Sequence, residues 1–302
     1  MSKPTVISVG NRTLKLTNLD KVLYPKAGFT KGDVIEYYRT VAPTLLPHLK
    51  DRPLTMKRYP NGVDEQFFYQ KEAPQHRPPW VKTVPIWSRG NKRDVNFLLV
   101  NNLSTLIWIA NLADLELHTS LSKASNPKRP TMMVFDLDPG APATIVECCE
   151  VGLMLRDLIG GLGLTAFPKT SGSKGLQVYV PLNTPVTYDD TKPFAHTVAR
   201  RLEEQHPDLI LSNMRKDLRM GKVLVDWSQN DDMKTTICVY SLRARERPTV
   251  STPVTWDEVE ETASSRDPGS LVFECKDALE RVDRLGDLFA PVLHQRQRLP
   301  NL

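Results

Sequence analysis

The sequence predicts a mixed fold of the α/β or α+β class, and two observations favour it. The 302 residues are 40% apolar and 25% charged, the balance of a globular enzyme rather than of a disordered or fibrous chain. Strand-like apolar segments alternate with segments of helical periodicity. The strands are expected at 131–138, 176–181 and 222–227, and the helices at about 143–159 and 191–205. Because no long linker or internal repeat interrupts this order, we expect a single domain over residues 1–302.

The N-terminal part, about 1–130, is predicted to begin with a short strand and turn over 11–24. Thr30 and Asp33 have the spacing of a capping box and mark the start of a helix. The apolar face of this helix consists of Val34, Tyr37, Tyr38, Val41 and Leu45, and Pro43 is expected to interrupt it.

Further elements follow in the same part of the chain. Strands at 53–59 and 66–70 flank the turn Pro60-Asn61-Gly62. Apolar spacing predicts a buried helix over 103–117, and 120–130 forms a polar loop.

The catalytic core is expected at about 131–245 and a helical tail at about 255–302. Within the core, a basic segment at 213–222 precedes the strand at 222–227, and another strand is expected at 234–241. The tail contains a capping box that begins at Thr255, and then a charged helix over about 274–296.

Several classes of protein are excluded by composition. No apolar run approaches the roughly 18 residues that a membrane helix needs, and the N-terminus lacks the apolar stretch of a signal peptide. We therefore expect a cytoplasmic protein with no membrane partner. The four cysteines show neither a CxxC pair nor zinc-site spacing, which predicts packing residues rather than ligands or disulfides.

The net charge of +5 is unevenly distributed. Residues 1–31 contain the six bases Lys3, Arg12, Lys15, Lys21, Lys26 and Lys31 against the single acid Asp20, and further clusters lie at 215–222 and 243–247. Clustered cations favour a polyanionic partner such as nucleic acid, whereas any one cluster is equally typical of solvated surface.

Asp136 and Asp138 end an apolar strand and are separated by one residue. Because strand side chains alternate between faces, both carboxylates point the same way, while Phe135 and Leu137 point into the core. Two carboxylates about 7 Å apart along one face can clamp Mg²⁺ or Mn²⁺, but the pair alone also fits a solvated strand end.

Asp226 ends a second apolar strand, with Val223 and Val225 on the opposite face. If this strand lies beside 131–138, three carboxylates converge, and their mutual repulsion requires cations. Such an arrangement predicts two-metal phosphoryl or nucleotidyl transfer.

Two other segments suit phosphate. The turn Thr170-Ser171-Gly172-Ser173-Lys174-Gly175 offers backbone N–H groups and one lysine but lacks Walker A spacing, and a plain polar hairpin is the alternative. Arg243 follows a strand and would clamp phosphate beside a metal site, or pair with an exposed acid elsewhere.

Aromatic residues indicate a possible contact with bases. Phe67, Phe68 and Tyr69 are consecutive, so at least one ring faces outward, and aromatics among cations are typical stacking platforms for single-stranded bases. An ordinary surface patch is the alternative. His118 fits a capping or packed histidine as well as a phosphate contact.

Together these motifs closely resemble the polymerase domain of bacterial end-joining ligase D, within the archaeo-eukaryotic primase superfamily. The resemblance extends over nearly all of residues 12–295. It is carried by Leu16-Thr17-Asn18-Leu19-Asp20-Lys21-Val22-Leu23-Tyr24-Pro25, Lys57-Arg58-Tyr59-Pro60-Asn61-Gly62-Val63, Phe67-Phe68, Phe135-Asp136-Leu137-Asp138-Pro139-Gly140, Thr170-Ser171-Gly172-Ser173-Lys174-Gly175-Leu176, Val225-Asp226-Trp227 and Tyr240-Ser241-Leu242-Arg243.

The resemblance implies a primase fold with an RRM-like catalytic core and flanking α/β elements. It implies that Asp136, Asp138 and Asp226 are catalytic and bind two Mn²⁺ or Mg²⁺ ions. It also implies an NTP or dNTP substrate, with ribonucleotides preferred. The implied nucleotide-binding residues are His118, Ser171, Lys174, Gln177, Arg219, Lys222 and Arg243. Asn18, Lys21 and Lys31 would bind the 5′-phosphate of gapped or broken DNA, and Phe67 and Phe68 would stack at the template.

Gln177 departs from the family pattern, which has histidine there. Gln177 can donate a hydrogen bond to phosphate but cannot be cationic. The chain also lacks the KxDG motif of a DNA ligase, so it is either an excised domain or a stand-alone polymerase-primase. The start at Met1 and the C-terminal helix favour the second alternative, and we expect a nucleoid-associated bacterial enzyme whose partners include a separate ligase and other repair proteins.

The favoured function is therefore template-dependent nucleotide addition in end joining or in excision-repair gap filling. One alternative is a Mg²⁺-dependent phosphohydrolase of the haloacid dehalogenase type, whose DxDx[TV] signature is imperfectly matched because Gly140 stands where that signature has Thr or Val. The other is a non-catalytic nucleic-acid-binding module.

Overall fold

Two compact units make up the chain in a computed structural model that describes residues 4–300. Unit 1 comprises the described chain up to Ser120 together with Thr235–Val250 and Glu274–Gly286, and unit 2 comprises the remainder. Both units are therefore assembled from separate stretches of chain, and 235–250 belongs with the N-terminal part rather than with the core predicted at 131–245. Lys3, one of the predicted basic cluster, and the last two residues of the predicted tail lie outside the described residues.

The strands are β1 (Thr5–Val9), β2 (Arg12–Leu16), β3 (Val22–Tyr24), β4 (Phe29–Thr30), β5 (Pro53–Arg58), β6 (Phe68–Gln70), β7 (Thr83–Ser88), β8 (Arg93–Leu99), β9 (Asp114–Thr119), β10 (Met132–Pro139), β11 (Phe167–Thr170), β12 (Leu176–Pro181), β13 (Ile210–Leu211), β14 (Val223–Asp226), β15 (Thr236–Ile237), β16 (Leu242–Ala244) and β17 (Pro248–Val250). The predicted strands at 131–138 and 176–181 are confirmed. The strand expected at 234–241 was too long, because only β15 is extended there.

The helices are α1 (Lys31–Leu49), α2 (Leu103–Asn111), α3 (Ile145–Gly161), α4 (Tyr188–Gln205), α5 (Trp256–Ser265), α6 (Cys275–Leu285) and α7 (Pro291–His294). The helix predicted over 103–117 was wrong in its second half, which is strand β9. The charged helix predicted over 274–296 is divided, because Gly286 ends α6 with a positive φ of 68°. None of the described helices is long and apolar enough to cross a membrane.

Unit 1 contains a six-stranded sheet in the order β15-β9-β5-β8-β7, with β6 also paired to β5. Helix α1 begins at the predicted capping box, in which Thr30 and Asp33 bond reciprocally, and it continues through Pro43 to Leu49. The residues predicted for its apolar face are all buried. The β7–β8 hairpin was not predicted.

Unit 2 contains a five-stranded sheet in the order β11-β12-β10-β14-β13. The succession β10-α3-β11-β12-α4-β14, with β10 between β12 and β14, is the β-α-β-β-α-β arrangement expected for an RRM-like core. One face of the sheet is covered by apolar residues from α3 and α4, and Phe135 and Leu137 lie fully buried there. All four cysteines of the chain are buried and none is in a disulfide, as predicted.

Candidate active site

Three aspartates lie together on the face of the unit 2 sheet opposite the helices. Strand β10 pairs antiparallel with β14, and Asp136 lies directly opposite Asp226 in the register. Directly opposed residues in such a pair have Cα atoms only about 4.5–5.5 Å apart. Asp138 follows Asp136 on the same face and lies opposite Leu224. We call Asp136, Asp138 and Asp226 the acidic triad.

Neighbouring polar groups orient two of the three carboxylates. Asp226 is 8% exposed. Its Oδ1 accepts hydrogen bonds from Ser228 N at 2.8 Å and Ser228 Oγ at 2.6 Å, and its Oδ2 accepts one from Gln229 Nε2 at 2.8 Å. Gln177, which is opposite Asp136 on β12, donates a side-chain hydrogen bond to it. The residue that departs from the family pattern therefore contacts a member of the acidic triad.

A buried lysine fixes the orientation of that glutamine. Lys169 is fully buried, and its Nζ donates to Gln177 Oε1 at 2.6 Å and to Ser251 Oγ at 2.6 Å. An amide whose oxygen accepts from an ammonium group must present its NH₂ on the other side. Lys169 therefore commits the Gln177 NH₂ to Asp136.

Burial and like charges act on Asp136. Burial, the charge of Asp138 and the charge of Asp226 raise the pKa of Asp136 to about 7, although the hydrogen bond from Gln177 and the charge of Lys169 oppose the shift. Among the residues described, no three His, Cys, Asp or Glu side chains form a preformed metal cage. The carboxylate donors, and the repulsion that raises the pKa of Asp136 in spite of Gln177 and Lys169, nevertheless fit a hard divalent cation, which would relieve the repulsion by binding.

The turn after β11 is closed upon itself. Ser171 Oγ accepts from the N–H groups of Ser173 and Gly175 at 3.2 and 3.1 Å, and Ser171 N donates to Gly175 O at 2.8 Å. Lys174 is exposed at its tip. A Cβ on Gly175 would lie 2.1 Å from Leu137 O, so only glycine allows the turn to lie against β10.

Gly140 brings a basic loop against the end of β10. Its N–H donates to Lys222 O at 2.8 Å, and a Cβ there would lie 1.7 Å from Arg219 O. Arg219 Nη2 donates to Met214 O at 2.9 Å, while its buried Nε has no hydrogen-bond partner among the described residues. Lys222 Nζ donates to the carbonyl of Pro207 at 2.5 Å. Arg219 Nε is therefore an unused donor, and the Lys222 ammonium group keeps two N–H donors beyond the one that bonds to Pro207.

The other candidate residues lie in unit 1, where a buried carboxylate organises several cations. Glu116 is on β9, and its side chain is only 2% exposed. It forms ion pairs with Lys57 at 3.3 Å and Arg243 at 3.5 Å, and a hydrogen bond with His118 at 3.0 Å. We call Glu116, Lys57, His118 and Arg243 the Glu116 cluster. Burial lowers the pKa of His118, in opposition to the hydrogen bond and the negative charge of Glu116.

The consecutive aromatics lie at the surface of the same unit. Phe67, Phe68 and Tyr69 are all exposed, so the prediction that at least one ring faces outward is confirmed. Lys57 Nζ lies 4.5 Å from the centre of the Phe67 ring, whereas the Arg58 guanidinium lies 5.1 Å from that of Phe68. The two phenylalanines therefore rest on different cations.

The residues expected to bind a 5′-phosphate lie at the start of α1. Lys31 N donates to Lys21 O at 2.8 Å, and Lys21 N donates to Asn18 O at 3.1 Å, which holds the three residues together. Lys31 is 6% exposed, and its Nζ donates to Thr17 O at 2.6 Å. Burial and the charges of Lys21 and Arg58 lower the pKa of Lys31 to about 8.

Sequence reasoning missed Glu116 and the buried Lys169. The sequence analysis assigned Glu116 to the helix predicted over 103–117. Two residues that are two positions apart do not lie on the same face of a helix, so the spacing between Glu116 and His118 gave no indication of a contact. In strand β9 the two residues share one face because they are two positions apart. The period of two in Asp114, Glu116 and His118 is the signal that could have found the cluster. Lys169 gives no comparable signal.

A five-stranded sheet with three aspartates on one face, a glycine-rich turn and a basic loop has the arrangement expected of a nucleotidyltransferase core. The family model described as "LigD, primase-polymerase domain" matches residues 30–289. The chain therefore belongs to the family of LigD primase-polymerase domains, which are DNA-directed nucleotidyltransferases. This family assignment agrees with the predicted resemblance and not with the haloacid dehalogenase alternative.

Two relatives and one solved structure illustrate the match. The multifunctional non-homologous end joining DNA repair protein LigD of Mycobacterium tuberculosis is 42% identical over 289 residues, which are 93% of this chain and 37% of that protein. The bifunctional non-homologous end joining protein LigD of Bacillus subtilis is 33% identical over 274 residues, 90% of this chain and 43% of that protein. The chain thus spans about two fifths of the length of these relatives. The polymerase domain of Mycobacterium tuberculosis ligase D, solved in complex with DNA, matches with a TM-score of 0.87 and 41% identity, covering 94% of this chain and 99% of that one.

Proposed function

We propose that the chain adds nucleotides to a primer strand at short gaps or broken ends of DNA that carry a 5′-phosphate, and that it prefers ribonucleotides. The observation that carries the proposal is the register of β10 and β14, which sets Asp136 opposite Asp226 with Asp138 on the same face. A divalent cation would balance the mutual repulsion of acids held this close together.

The acidic triad would hold two Mn²⁺ or Mg²⁺ ions. Such ions supply Lewis-acid activation of the attacking hydroxyl and neutralise charge on the leaving phosphates. Gln177 and Gln229 orient Asp136 and Asp226 through hydrogen bonds, so the oxygens are held in place before a ligand arrives. In this proposal Gln177 acts on Asp136 and not directly on phosphate.

The chain's own cations would bind the nucleotide phosphates. Ser171 and Lys174 present a closed turn and an exposed ammonium group, and the buried Nε of Arg219 is a donor without a partner. For His118 and Arg243 we keep the phosphate-binding role that the resemblance implies. Lys222 is assigned the same role, because its ammonium group keeps two N–H donors beside the one that bonds to the carbonyl of Pro207.

The DNA would be bound through unit 1. Phe67 and Phe68 offer exposed rings beside cations, the usual platform for an unpaired base. Lys21 and Lys31 are joined by a backbone hydrogen bond at the N-terminal end of α1, and their positive charges would favour a phosphate dianion there. The names of the relatives support non-homologous end joining as the setting.

Extension of a labelled primer tests the proposal. The substrates are a short gap with a 5′-phosphate, the same gap without it, and a two-ended break with complementary overhangs. Each is incubated with Mn²⁺ or Mg²⁺ and with NTPs or dNTPs. We expect templated addition that is stronger with the 5′-phosphate and with NTPs. Release of phosphate without any primer extension would contradict it.

A further inference from the structure

The buried carboxylate of Glu116 contacts several basic side chains at once and so can fix their positions. It lies opposite Lys57 in the pairing of β9 with β5. Its Oε2 contacts Lys57 Nζ at 3.3 Å and His118 Nε2 at 3.0 Å. Its Oε1 accepts the N–H of Ala244 at 3.1 Å and lies 3.5 Å from Arg243 Nε. One carboxylate therefore connects three basic side chains from three strands.

The charge of Glu116 is permanent at neutral pH. Burial alone would raise its pKa, but the hydrogen bond from His118 and the charges of Arg243 and Lys57 lower the pKa well below its usual range. An acid of this kind is unsuited to proton transfer near neutrality. Its contribution lies in where it holds Lys57, His118 and Arg243.

Lys57 carries the connection outward to the surface. Its Nζ lies 4.5 Å from the ring centre of Phe67, and 5.4 and 5.5 Å from those of Tyr59 and Tyr69. Phe67 is 44% exposed, so a base stacked on it would rest on a ring that Lys57 supports. Phe68 has no such link, because the Arg58 beneath it bonds to Leu112 O and Gln70.

We propose that Glu116 is a positioning residue that couples the stacking of a template base on Phe67 to the binding of nucleotide phosphates by His118 and Arg243. The inference rests on the proposed function and adds a coupling between two of its ligands. A bound polyphosphate attracts His118 and Arg243 and so weakens their interaction with Glu116. The carboxylate of Glu116 then interacts more strongly with Lys57. Lys57 is then held more firmly beneath Phe67, and the template base gains a more rigid platform. By linkage, a base on Phe67 strengthens phosphate binding by the same factor.

The test compares nucleotide affinity with and without template in the full chain. The dissociation constant of an NTP is measured for the protein alone and in the presence of gapped DNA with a complementary templating base and a primer lacking its 3′-hydroxyl. The ratio of the two constants is the template gain. We expect the Glu116→Gln variant to lose about tenfold of this gain. Its affinity for inorganic tripolyphosphate should not fall, because a negative charge has been removed.

Lys57→Met provides a second route to the same result. It removes the ammonium group that links Phe67 to Glu116 while leaving His118 and Arg243 on the carboxylate, so it should lower the template gain even if Glu116→Gln folds poorly. The weaker connection through Tyr59, whose ring centre lies 5.2 Å from that of Phe67 and whose hydroxyl lies 3.5 Å from Glu116 Oε1, remains in this variant. Double variants sharpen the test. The losses of template gain in Phe67→Leu and Glu116→Gln should be non-additive, whereas those in Phe68→Leu and Glu116→Gln should add.

Three outcomes would overturn the coupling. They are a template gain within twofold of wild type in both Glu116→Gln and Lys57→Met, additive losses for the Phe67 pair, and a loss of tripolyphosphate affinity that accounts for the whole effect. A wild-type protein that extends primers but shows one of these outcomes refutes the coupling alone. A wild-type protein that binds no nucleotide and extends no primer refutes the proposed function, and the coupling with it.

Discussion

Strand β9 of unit 1 and strand β10 of unit 2 both carry two acids separated by one residue. On β9 these are Asp114 and Glu116, and on β10 they are Asp136 and Asp138. The neighbours of Glu116 are cations, and its pKa falls although burial opposes this. The neighbours of Asp136 include two acids that act together with burial, and its pKa rises to about 7. The same spacing therefore produces one carboxylate balanced by the protein and another that a bound cation would balance.

The difference teaches that an acidic pair on a strand gains its chemistry from the strands beside it. Glu116 lies opposite Lys57, whereas Asp136 lies opposite Asp226. Neither pairing can be read from the spacing within one strand, since the partners are 59 and 90 residues away along the chain.

The largest expected effect is on catalysis, where substitutions in the acidic triad should have a far larger effect than substitution of an exposed acid. Asp226→Asn or Asp138→Ala should lower the rate of nucleotide addition about a thousandfold, because the loss of a charge that binds a cation is worth about 4 kcal/mol in the transition state. DNA affinity should remain within about twofold of wild type. Single-turnover primer extension and a gel-shift titration measure the two quantities. Asp189→Asn, which changes an exposed acid at the start of α4, is the matched control, and equal rates in Asp226→Asn and Asp189→Asn would defeat the assignment.

The acidic triad was predictable because each of its strands could be identified separately. Both strands are apolar on one face and end in acid, and their lengths match the observed β10 and β14 to within one or two residues. The sequence did not determine whether the two strands are neighbours, which the sheet order shows. The turn at Ser171 was predictable for the same local reason, since its glycines and hydroxyls describe the turn itself.

The Glu116 cluster was missed because the end of α2 carries no usual stop signal, so Asp114 and Glu116 were assigned to a helix and their period of two with His118 was not used. The chain leaves the helix through Ala113, which adopts a positive φ of 58°. Glycine or asparagine usually occupies such a position, so an alanine there hides the boundary. Asn111, the last residue of α2, accepts a hydrogen bond from Thr17 N at 3.0 Å. This contact spans 94 residues, so the local sequence does not indicate it. A helix was therefore extended over residues that form a strand.

Substitutions of Glu116 and Asp136 should change the stability of the protein in opposite directions. At pH 8 without metal, Glu116→Gln should lower the free energy of unfolding by about 3 kcal/mol, because it leaves buried cations unpaired. Asp136→Asn should raise it by about 1–2 kcal/mol, because the raised pKa of Asp136 destabilises the folded state once the group is ionised.

The sign follows from proton binding. The folded state holds the proton of Asp136 more tightly than the unfolded chain, so this group makes the metal-free protein less stable as pH rises from about 4 to about 7. Glu116 has the opposite shift, and its contribution disappears only on acidification below the ordinary glutamate range. Urea unfolding in the presence of a chelator measures both variants, and a loss of stability in both would contradict the comparison.

Cation affinity should depend on pH in a way that identifies Asp136. The carboxylate must lose its proton to bind a cation, so the affinity of the metal-free protein for Mn²⁺ should rise up to about tenfold per pH unit below 7 and level off above it. Titration followed by the electron paramagnetic resonance of free Mn²⁺ at pH 6, 7 and 8 measures this without any turnover. Asp136→Asn should bind more weakly and lose the slope, and a wild-type affinity that is constant across this range would argue against the triad as the metal site.

The smallest expected effect concerns Lys31. Unlike Lys57, which pairs with the carboxylate of Glu116, Lys31 has a backbone carbonyl as its partner, and it is largely shielded from water. Its ammonium group is held by the carbonyl of Thr17, and its pKa of about 8 reflects burial and the charges of Lys21 and Arg58. A 5′-phosphate would supply the missing negative charge. Lys31→Met should therefore lower the preference for a phosphorylated over an unphosphorylated gap by about tenfold, the value of one charged hydrogen bond. The matched control is Lys26→Met, because Lys26 is exposed and already paired with Glu246 at 2.6 Å.

The same preference should weaken in wild type as pH rises. Because burial lowers the pKa of Lys31, the group loses its charge on going from pH 7 to pH 9, whereas an ordinary lysine remains protonated. A bound phosphate favours the charged form, so the loss in the DNA complex should begin somewhat above pH 8. Primer extension on the two gaps at pH 7, 8 and 9 measures the ratio, with Lys31→Met expected to be flat over this range. If the ratio were independent of pH in wild type, or if Lys26→Met reduced it as strongly as Lys31→Met, the start of α1 would hold the phosphate through general positive charge rather than through this buried ammonium group.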